Sequence, residues 1–166
     1  MATYDVADRS AIVTGGGSGI GRSVALLLAA NGASVVVADL KKESADAVVA
    51  EIEAAGGTAV AHVGDVSDPE DAVAAVEAAQ KLGPLRIAVN NAGIGCPAAA
   101  TGEYPLDGWQ KVIDINLSAV LYGMRAQLPA MVANGGGSIV NVASILGSVG
   151  FAQSVAYVSA KHGVVG

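Results

Sequence analysis

Cysteine and charged residues are scarce in this chain of 166 residues. Cys96 is the single cysteine, which excludes a disulfide within the chain and indicates a reducing compartment. Charged residues amount to only 14%, the formal net charge is −6, and the Lys and Arg residues are scattered along the sequence. Without a basic patch, neither nucleic acid nor an anionic membrane surface is an expected partner.

A membrane span and a secretory leader are also missing from the sequence. The longest apolar stretches, such as residues 24–30, are far shorter than a membrane-spanning helix requires. Asp5 and Asp8 stand where a signal peptide has a basic segment followed by an apolar one. The sequence therefore predicts a cytoplasmic protein.

Hydrophobic residues, in contrast, make up 52% of the chain. This excess argues against disorder and indicates strands that are buried on both faces, as they are in a parallel sheet. The length allows one domain with a sizeable core, so we expect residues 1–166 to form a single domain.

Apolar runs and helical segments alternate along the chain. The apolar runs predict five strands, at residues 11–14, 34–38, 58–63, 85–89 and 138–142. The other segments predict helices at residues 19–31, 42–55, 67–82 and 106–133, and from residue 154 onward. This alternation gives βαβ units, and hence an α/β fold with a parallel sheet and right-handed crossovers.

Two helices carry more detailed expectations. The first is expected to turn Ile20, Val24, Leu27 and Leu28 toward the core. In the long fourth helix, Pro129 is expected to cause a bend.

A glycine-rich loop connects the first strand to the first helix. Its sequence, from residue 14 to residue 21, is Thr-Gly-Gly-Gly-Ser-Gly-Ile-Gly. Glycines let backbone N–H groups approach a ligand closely, and a helix amino terminus favours an anion such as a pyrophosphate. The alternative is a purely structural tight turn. The binding interpretation selects Gly15, Gly17, Ser18, Gly19, Ile20 and Gly21.

Acidic residues follow the second and third strands. Asp39 lies where a carboxylate binds the adenosine ribose of a dinucleotide, and it would repel a 2′-phosphate. NAD is therefore favoured over NADP, although Lys41 and Lys42 nearby could attract a phosphate. Asp65 could accept a hydrogen bond from the adenine amino group. Helix capping is the alternative interpretation of both residues.

Tyr157 and Lys161 are four residues apart on a predicted helix, so their side chains lie on the same face. A phenol is a poor base at neutral pH, because its pKa in solution is about 10. A fixed neighbouring cation favours the phenolate. The pair therefore suits proton transfer to or from an alcohol oxygen. Ser144 precedes Tyr157 by thirteen residues and could stabilise charge on the same oxygen.

Together these motifs resemble those of the short-chain dehydrogenase/reductase family, over residues 7–166. The similarity rests on Thr14 followed by Gly15-x-x-x-Gly19-x-Gly21 and on further motifs in matching order, namely Asp65-Val66, Asn90-Asn91-Ala92-Gly93, Asn116, Ser144 and Tyr157 with Lys161. The resemblance implies a Rossmann-type, doubly wound parallel sheet. It also implies hydride transfer between the nicotinamide C4 and a carbonyl or alcohol carbon.

The resemblance also implies roles for individual residues. Tyr157 would be the general acid/base, Lys161 would assist it and bind the nicotinamide ribose, and Ser144 would bind the substrate oxygen. Asn116 would hold a water for proton relay, unless it is only a packing or kink residue. The remaining contacts to the dinucleotide would come from Asp65, Val66, Asn91, Ala92 and Gly93. A plain turn at residues 91–93 and a Ser144 that bonds its own backbone are the alternatives.

Family members continue beyond the length of this chain. The resemblance therefore implies that the sheet lacks its carboxyl-terminal strands and substrate lid, and that residues 1–166 are part of a longer chain. It also implies a homo-oligomer, either a dimer or a tetramer.

The expected function is hydride transfer between NAD(H) and a small-molecule secondary alcohol or ketone. An NAD-binding fragment without turnover and an NADP-dependent ketone reductase of the 3-oxoacyl type are the alternatives, and the glycine spacing argues against an epimerase or dehydratase. Residues 94–101 and 145–154 are expected to select the substrate, which their composition suggests is modest in size and hydrophobic.

Four further residues are interpreted as structural. His62 and His162 have no partners at metal-ligand spacing, so no metal site is expected. Cys96 lacks a base partner in the sequence, and a small apolar role is expected. Trp109 is expected in the core or at an interface.

Overall fold

The computed structural model describes residues 6–166, so Asp5 of the amino-terminal segment lies outside it. The strands are β1 (Ser10–Thr14), β2 (Ser34–Asp39), β3 (Thr58–Val63), β4 (Leu85–Asn90) and β5 (Ser138–Asn141). All of them pair in parallel in the order β3-β2-β1-β4-β5. This confirms the predicted α/β fold with a Rossmann-type parallel sheet.

Among residues 6–166, six α-helices connect or follow the strands. They are α1 (Gly19–Ala30), α2 (Lys42–Ala54), α3 (Pro69–Leu82), α4 (Leu106–Ile113), α5 (Ala119–Ala133) and α6 (Val155–Val165). Within the described residues, no helix is long and apolar enough to cross a membrane.

The sheet is buried on both faces through strand alternation. Val13 and Val37 point to the side of α1 and α2, where they pack with Ile52. Ile12 and Val36 belong to the opposite cluster with residues of α3 and α5. The chain crosses from β3 at one edge to β4 beside β1, and the helices change faces there. The switch point therefore lies between β1 and β4, where α/β sheets bind ligands.

The expected inner face of α1 is wrong for two residues. Ile20 is 66% exposed and Leu27 is 48% exposed. The fully buried positions are instead Gly21, Ala25 and Ala29, with Val24 and Leu28 only partly buried. Small side chains occupy this face because α1 packs closely on the sheet and on the loop that precedes it.

The long helix predicted at residues 106–133 is interrupted. A π-helical segment, Asp114–Ser118, separates α4 from α5, and α5 continues through Pro129. The π-helical segment lies about one third of the way along the predicted helix, and the bend expected at Pro129 stays a prediction. Such π segments are rare and frequently occur at functional sites.

Candidate active site

The carboxyl ends of the five strands bring the predicted residues to one edge of the sheet. The glycine loop (residues 15–21) follows β1, Asp39 ends β2, and Asp65 follows β3. Two adjoining clefts lie along this edge. The first cleft contains much of the glycine loop, Asp39 and residues 64–66, and the second contains Asn116, Tyr157 and Lys161. Their shared lining residues are Ile20, Asn91, Gly93 and Ile94.

The glycine loop is tightly packed where α1 begins. Gly15 has a φ of +62° and Gly19 a φ of +52°, values that favour glycine. A Cβ on Gly21 would collide with the Gly15 carbonyl oxygen and lie 2.6 Å from Asn91 Nδ2. These glycines are therefore required by the conformation and packing of the loop itself. The tight-turn interpretation thus accounts for part of their role.

Asp39 connects the glycine loop to β2. Its Oδ2 accepts a hydrogen bond from the Gly17 backbone N–H at 3.0 Å, and its Oδ1 accepts one from Lys41 N–H at 3.0 Å. The amino-terminal cap of α2 is Lys41, so Asp39 is not a helix cap. The carboxylate is half-buried and borders the first cleft.

Asp65 also lines the first cleft, and its carboxylate serves a local turn. Its Oδ1 accepts hydrogen bonds from the Ser67 hydroxyl at 2.7 Å and from Ser67 N–H at 2.9 Å. These bonds lower the pKa of Asp65 below its ordinary value. The cap of α3 is Asp68, whose Oδ1 accepts from Glu70 N–H at 2.9 Å. The capping interpretation therefore belongs to Asp68.

Asn91 joins β4 to β1. Its side-chain Nδ2 donates to the Thr14 carbonyl oxygen at 2.9 Å. The backbone N–H groups of Asn91 and Ala92 both donate to Thr14 Oγ1, at 3.0 and 3.1 Å. The residues after β4 thus form more than a plain turn. Thr14 is part of the sequence motif, but sequence reasoning gave it no role. Its position at the end of β1, next to the end of β4, is the signal that could have identified it as the partner of Asn91.

A buried network behind this edge was missed by sequence reasoning. The side chains of Asn90 and Gln127 exchange two hydrogen bonds, of 3.2 and 2.9 Å, although both residues are at least 96% buried. Asn90 Nδ2 also donates to Asn141 Oδ1 at 2.8 Å, which ties the end of β4 to the end of β5. No sequence spacing pairs residues so far apart.

Tyr157 and Lys161 lie one turn apart on α6. The Lys161 ammonium is 5.7 Å from the centre of the Tyr157 ring, and it donates to the Val142 carbonyl oxygen at 2.7 Å. Lys161 is only 4% exposed, and burial lowers its pKa below the ordinary value. The bond to Val142 fixes the ammonium where α6 meets the end of β5.

Asn116 lies in the π-helical segment and is completely buried. Its Nδ2 donates to the carbonyl oxygens of Ile94 and Val112, both at 3.1 Å, and its Oδ1 accepts from Ile94 N–H at 3.2 Å. The side chain therefore holds the loop after β4 against the helix, on the boundary of the second cleft.

Ser144 lies next to the second cleft, whose lining includes its neighbours Ala143 and Leu146. Its Oγ accepts a hydrogen bond from Leu146 N–H at 3.2 Å. The structure thus shows the local backbone bond that was the alternative interpretation. Because the hydroxyl acts there as an acceptor, its own proton is still available to donate.

The four residues interpreted as structural have protein partners. His62 Nε2 lies 2.9 Å from Asp71 Oδ1, and His162 Nδ1 lies 2.9 Å from the Val158 carbonyl oxygen. Cys96 and Trp109 are partly buried and pack against a small core at α4 and α6. Among residues 6–166, no three potential metal ligands come together.

Comparisons with known proteins relate this geometry to a family. A cyclohexanol dehydrogenase from Acinetobacter sp. (strain SE19) is 51% identical over 160 residues, which is 96% of this chain and 64% of that protein. The 2-dehydro-3-deoxy-L-rhamnonate dehydrogenase (NAD(+)) of Sphingomonas sp. (strain SKA58) is 42% identical over 161 residues, covering 96% of this chain and 63% of that protein. The chain thus spans less than two thirds of the length of these relatives.

The fold comparison agrees with the sequence comparison. The crystal structure of an NAD+-bound xylitol dehydrogenase superposes with a TM-score of 0.93 at 28% identity, over 98% of this chain and 63% of that one. The family model described as short chain dehydrogenase matches residues 9–166. With its parallel sheet, glycine loop and Tyr157/Lys161 pair, the chain belongs to the short-chain dehydrogenase family.

Proposed function

We propose that the protein transfers a hydride between NAD(H) and a secondary alcohol or ketone, with Tyr157 as the general acid/base. The observation that carries the proposal is the continuity of the two clefts. The glycine loop and Asp39 border one of them, Tyr157 and buried Lys161 border the other, and Asn91 lines both.

The residues of the first cleft fit a dinucleotide. The glycine loop places backbone N–H groups at the amino terminus of α1, and its glycines have no Cβ that would block a ligand. Such an arrangement suits a pyrophosphate. Ser18, Ile20, Asp65, Val66, Asn91, Ala92 and Gly93 would complete the contacts. When bound, NAD supplies the hydride acceptor at its nicotinamide C4.

Asp39 supports NAD over NADP. The hydrogen bond from Gly17 N–H holds its carboxylate at the glycine loop, where it would repel a 2′-phosphate. The nearby Lys42 is already paired with Asp46, at 2.6 Å between Nζ and Oδ2. Comparing kcat/KM for NAD+ and NADP+ tests this preference, and a higher value for NADP+ would contradict it.

In the second cleft, the Tyr157 phenol would exchange a proton with the substrate oxygen. The Lys161 ammonium, held by Val142, would supply a fixed positive charge near the Tyr157 ring. The Ser144 hydroxyl would donate to the same substrate oxygen while it accepts from Leu146 N–H. Asn116 would keep the Ile94 loop in position between the two clefts.

The proposed substrate is a small cyclic secondary alcohol or the matching ketone. The second cleft includes the apolar side chains of Ile94, Val142, Leu146 and Phe151. The relative that acts on cyclohexanol, by its name, is 51% identical over 96% of this chain.

The decisive experiment is turnover of NAD+ with cyclohexanol and related alcohols by the wild type and by Tyr157→Phe. We expect the substitution to lower kcat at least about 100-fold, because general acid–base catalysis contributes that much or more. Tyr122→Phe, a change of the same kind on α5, is the control and should leave kcat within about twofold. Undiminished kcat in Tyr157→Phe would contradict the mechanism.

We also propose a cytoplasmic homo-oligomer. Leu121, Leu128 and Val132 form an exposed apolar stripe along α5, with exposed fractions of 59%, 49% and 72%. Light scattering of the wild type and of Leu128→Glu tests this proposal. A wild type that is monomeric at every concentration would overturn it.

A further inference from the structure

Ser154 lines the second cleft together with Tyr157 and Lys161. It is half-buried and immediately precedes α6, three residues before Tyr157. It is the last residue of the segment 145–154 that is expected to select the substrate, and no motif or step of the proposed mechanism gives its hydroxyl a role of its own.

The Ser154 hydroxyl has no hydrogen-bond partner within residues 6–166, although serine at this position normally caps a helix. A capping hydroxyl accepts a bond from the second or third N–H of the helix. Ser154 makes no such bond, whereas Ser144 caps the short turn that follows it through Leu146 N–H. The hydroxyl is therefore available to a ligand both as donor and as acceptor.

The backbone fixes the position of Ser154. The preceding residue, Gln153, has a φ of +62°, which is uncommon for a residue other than glycine. The Gln153 carbonyl oxygen accepts a hydrogen bond from Ala99 N–H at 3.3 Å. This bond joins the entrance of α6 to the loop after β4, whose residues 94–96 also line the second cleft, so the backbone beside Ser154 is anchored to the cleft.

Most other polar side chains of the second cleft are already engaged. Lys161 donates to Val142, Asn116 is bonded to Ile94 and Val112, and the Asn91 amide donates to Thr14. The remaining walls are largely apolar. Once Tyr157 binds the reacting oxygen, Ser154 is the hydroxyl left for a second oxygen on the same substrate.

We propose that Ser154 selects substrates with a second oxygen next to the reacting carbon, such as vicinal diols and hydroxyketones. The hydroxyl hydrogen-bonds that second oxygen and thereby orients the ring toward Tyr157. This inference rests on the proposed function of the same cleft.

The test compares kcat/KM for cyclohexanol and for a vicinal cyclohexanediol in the wild type, Ser154→Ala, Ser154→Thr and Ser138→Ala. Since one neutral hydrogen bond accounts for up to about a tenfold effect, we expect Ser154→Ala to lower the value for the diol by about that factor. The value for cyclohexanol should change less than about twofold. Ser154→Thr keeps the hydroxyl and should restore turnover of the diol. Ser138, an exposed serine on β5 that lines neither cleft, is the control.

Equal losses on both alcohols, or no loss on the diol, would overturn the inference. A wild type that turns over neither alcohol would contradict the proposed function instead. In that case, saturation-transfer NMR of the diol with the NAD+-loaded protein decides the question. Binding that is weakened by Ser154→Ala and kept by Ser154→Thr supports the role of Ser154, and unchanged binding or no binding to the wild type refutes it.

Discussion

Hydrogen bonds between loops hold the first cleft, whereas the second combines such bonds with an exposed apolar wall. In the first, Asp39 bonds the glycine loop and Asn91 bonds Thr14. In the second, the wall residue Phe151 is 66% exposed. The first cleft is therefore a preorganised site for one fixed ligand. The exposed apolar wall of the second contributes little to stability, so its residues can differ with the substrate.

Among substitutions that test this difference between the clefts, Gly21→Ala is expected to have the largest effect on stability and cofactor binding. In Gly21→Ala the new Cβ would meet the Gly15 carbonyl oxygen and Asn91 Nδ2, so the loop must shift. Such overpacking costs about 1–3 kcal/mol of unfolding free energy. We expect a loss of that size in urea denaturation and at least about tenfold weaker NADH binding by fluorescence.

Gly95→Ala is the matched control for that substitution. Gly95 lines the second cleft, no atom lies within 4 Å of the position that an added Cβ would take, and its φ is not positive. We expect stability and NADH affinity close to those of the wild type. If both substitutions had the same effect, the two clefts would not differ in the way described.

The same contrast explains what the sequence could predict. Asp39 was predicted from its position at the end of the second strand, and Tyr157 with Lys161 from the rule that residues four apart share a helix face. Those rules are local. Motif similarity supplied the remaining site residues, since their types and order along the chain match those of the family.

Predictions failed where distant contacts decide the structure. The inner face of α1 was assigned by hydrophobicity, but close packing on the glycine loop selects Gly21 over Ile20. The π-helical segment contains Asn116, whose carboxamide bonds the backbone of Ile94, twenty-two residues away. The hydrogen-bonded pair of Asn90 and Gln127 could likewise not be predicted from local sequence patterns, because the two residues are far apart in the sequence.

An effect of intermediate size is expected from Lys161, on the way the free energy of unfolding depends on pH. Burial lowers its pKa, so the unfolded chain holds this proton up to a higher pH than the folded protein does. Between the lowered pKa and the ordinary value of 10.5, the free energy of unfolding should therefore gain a positive contribution as pH rises, at most about 1.4 kcal/mol per pH unit.

Lys161→Met removes that contribution. Urea denaturation of both proteins from neutral pH to about pH 10 should show the stability difference shifting in favour of the wild type as pH rises. A difference that is constant across this range would show that Lys161 titrates alike in the folded and unfolded states.

The smallest expected effect on stability is at Phe151, in the second cleft. Because the side chain is 66% exposed, Phe151→Ala should change the free energy of unfolding by no more than about 0.5 kcal/mol. NADH affinity should also stay unchanged, since Phe151 does not line the first cleft. The KM for cyclohexanol should rise, because the ring loses part of an apolar wall. If NADH affinity changed and the KM for cyclohexanol did not, Phe151 would belong functionally to the first cleft. The apolar wall would then contact the cofactor and not the substrate.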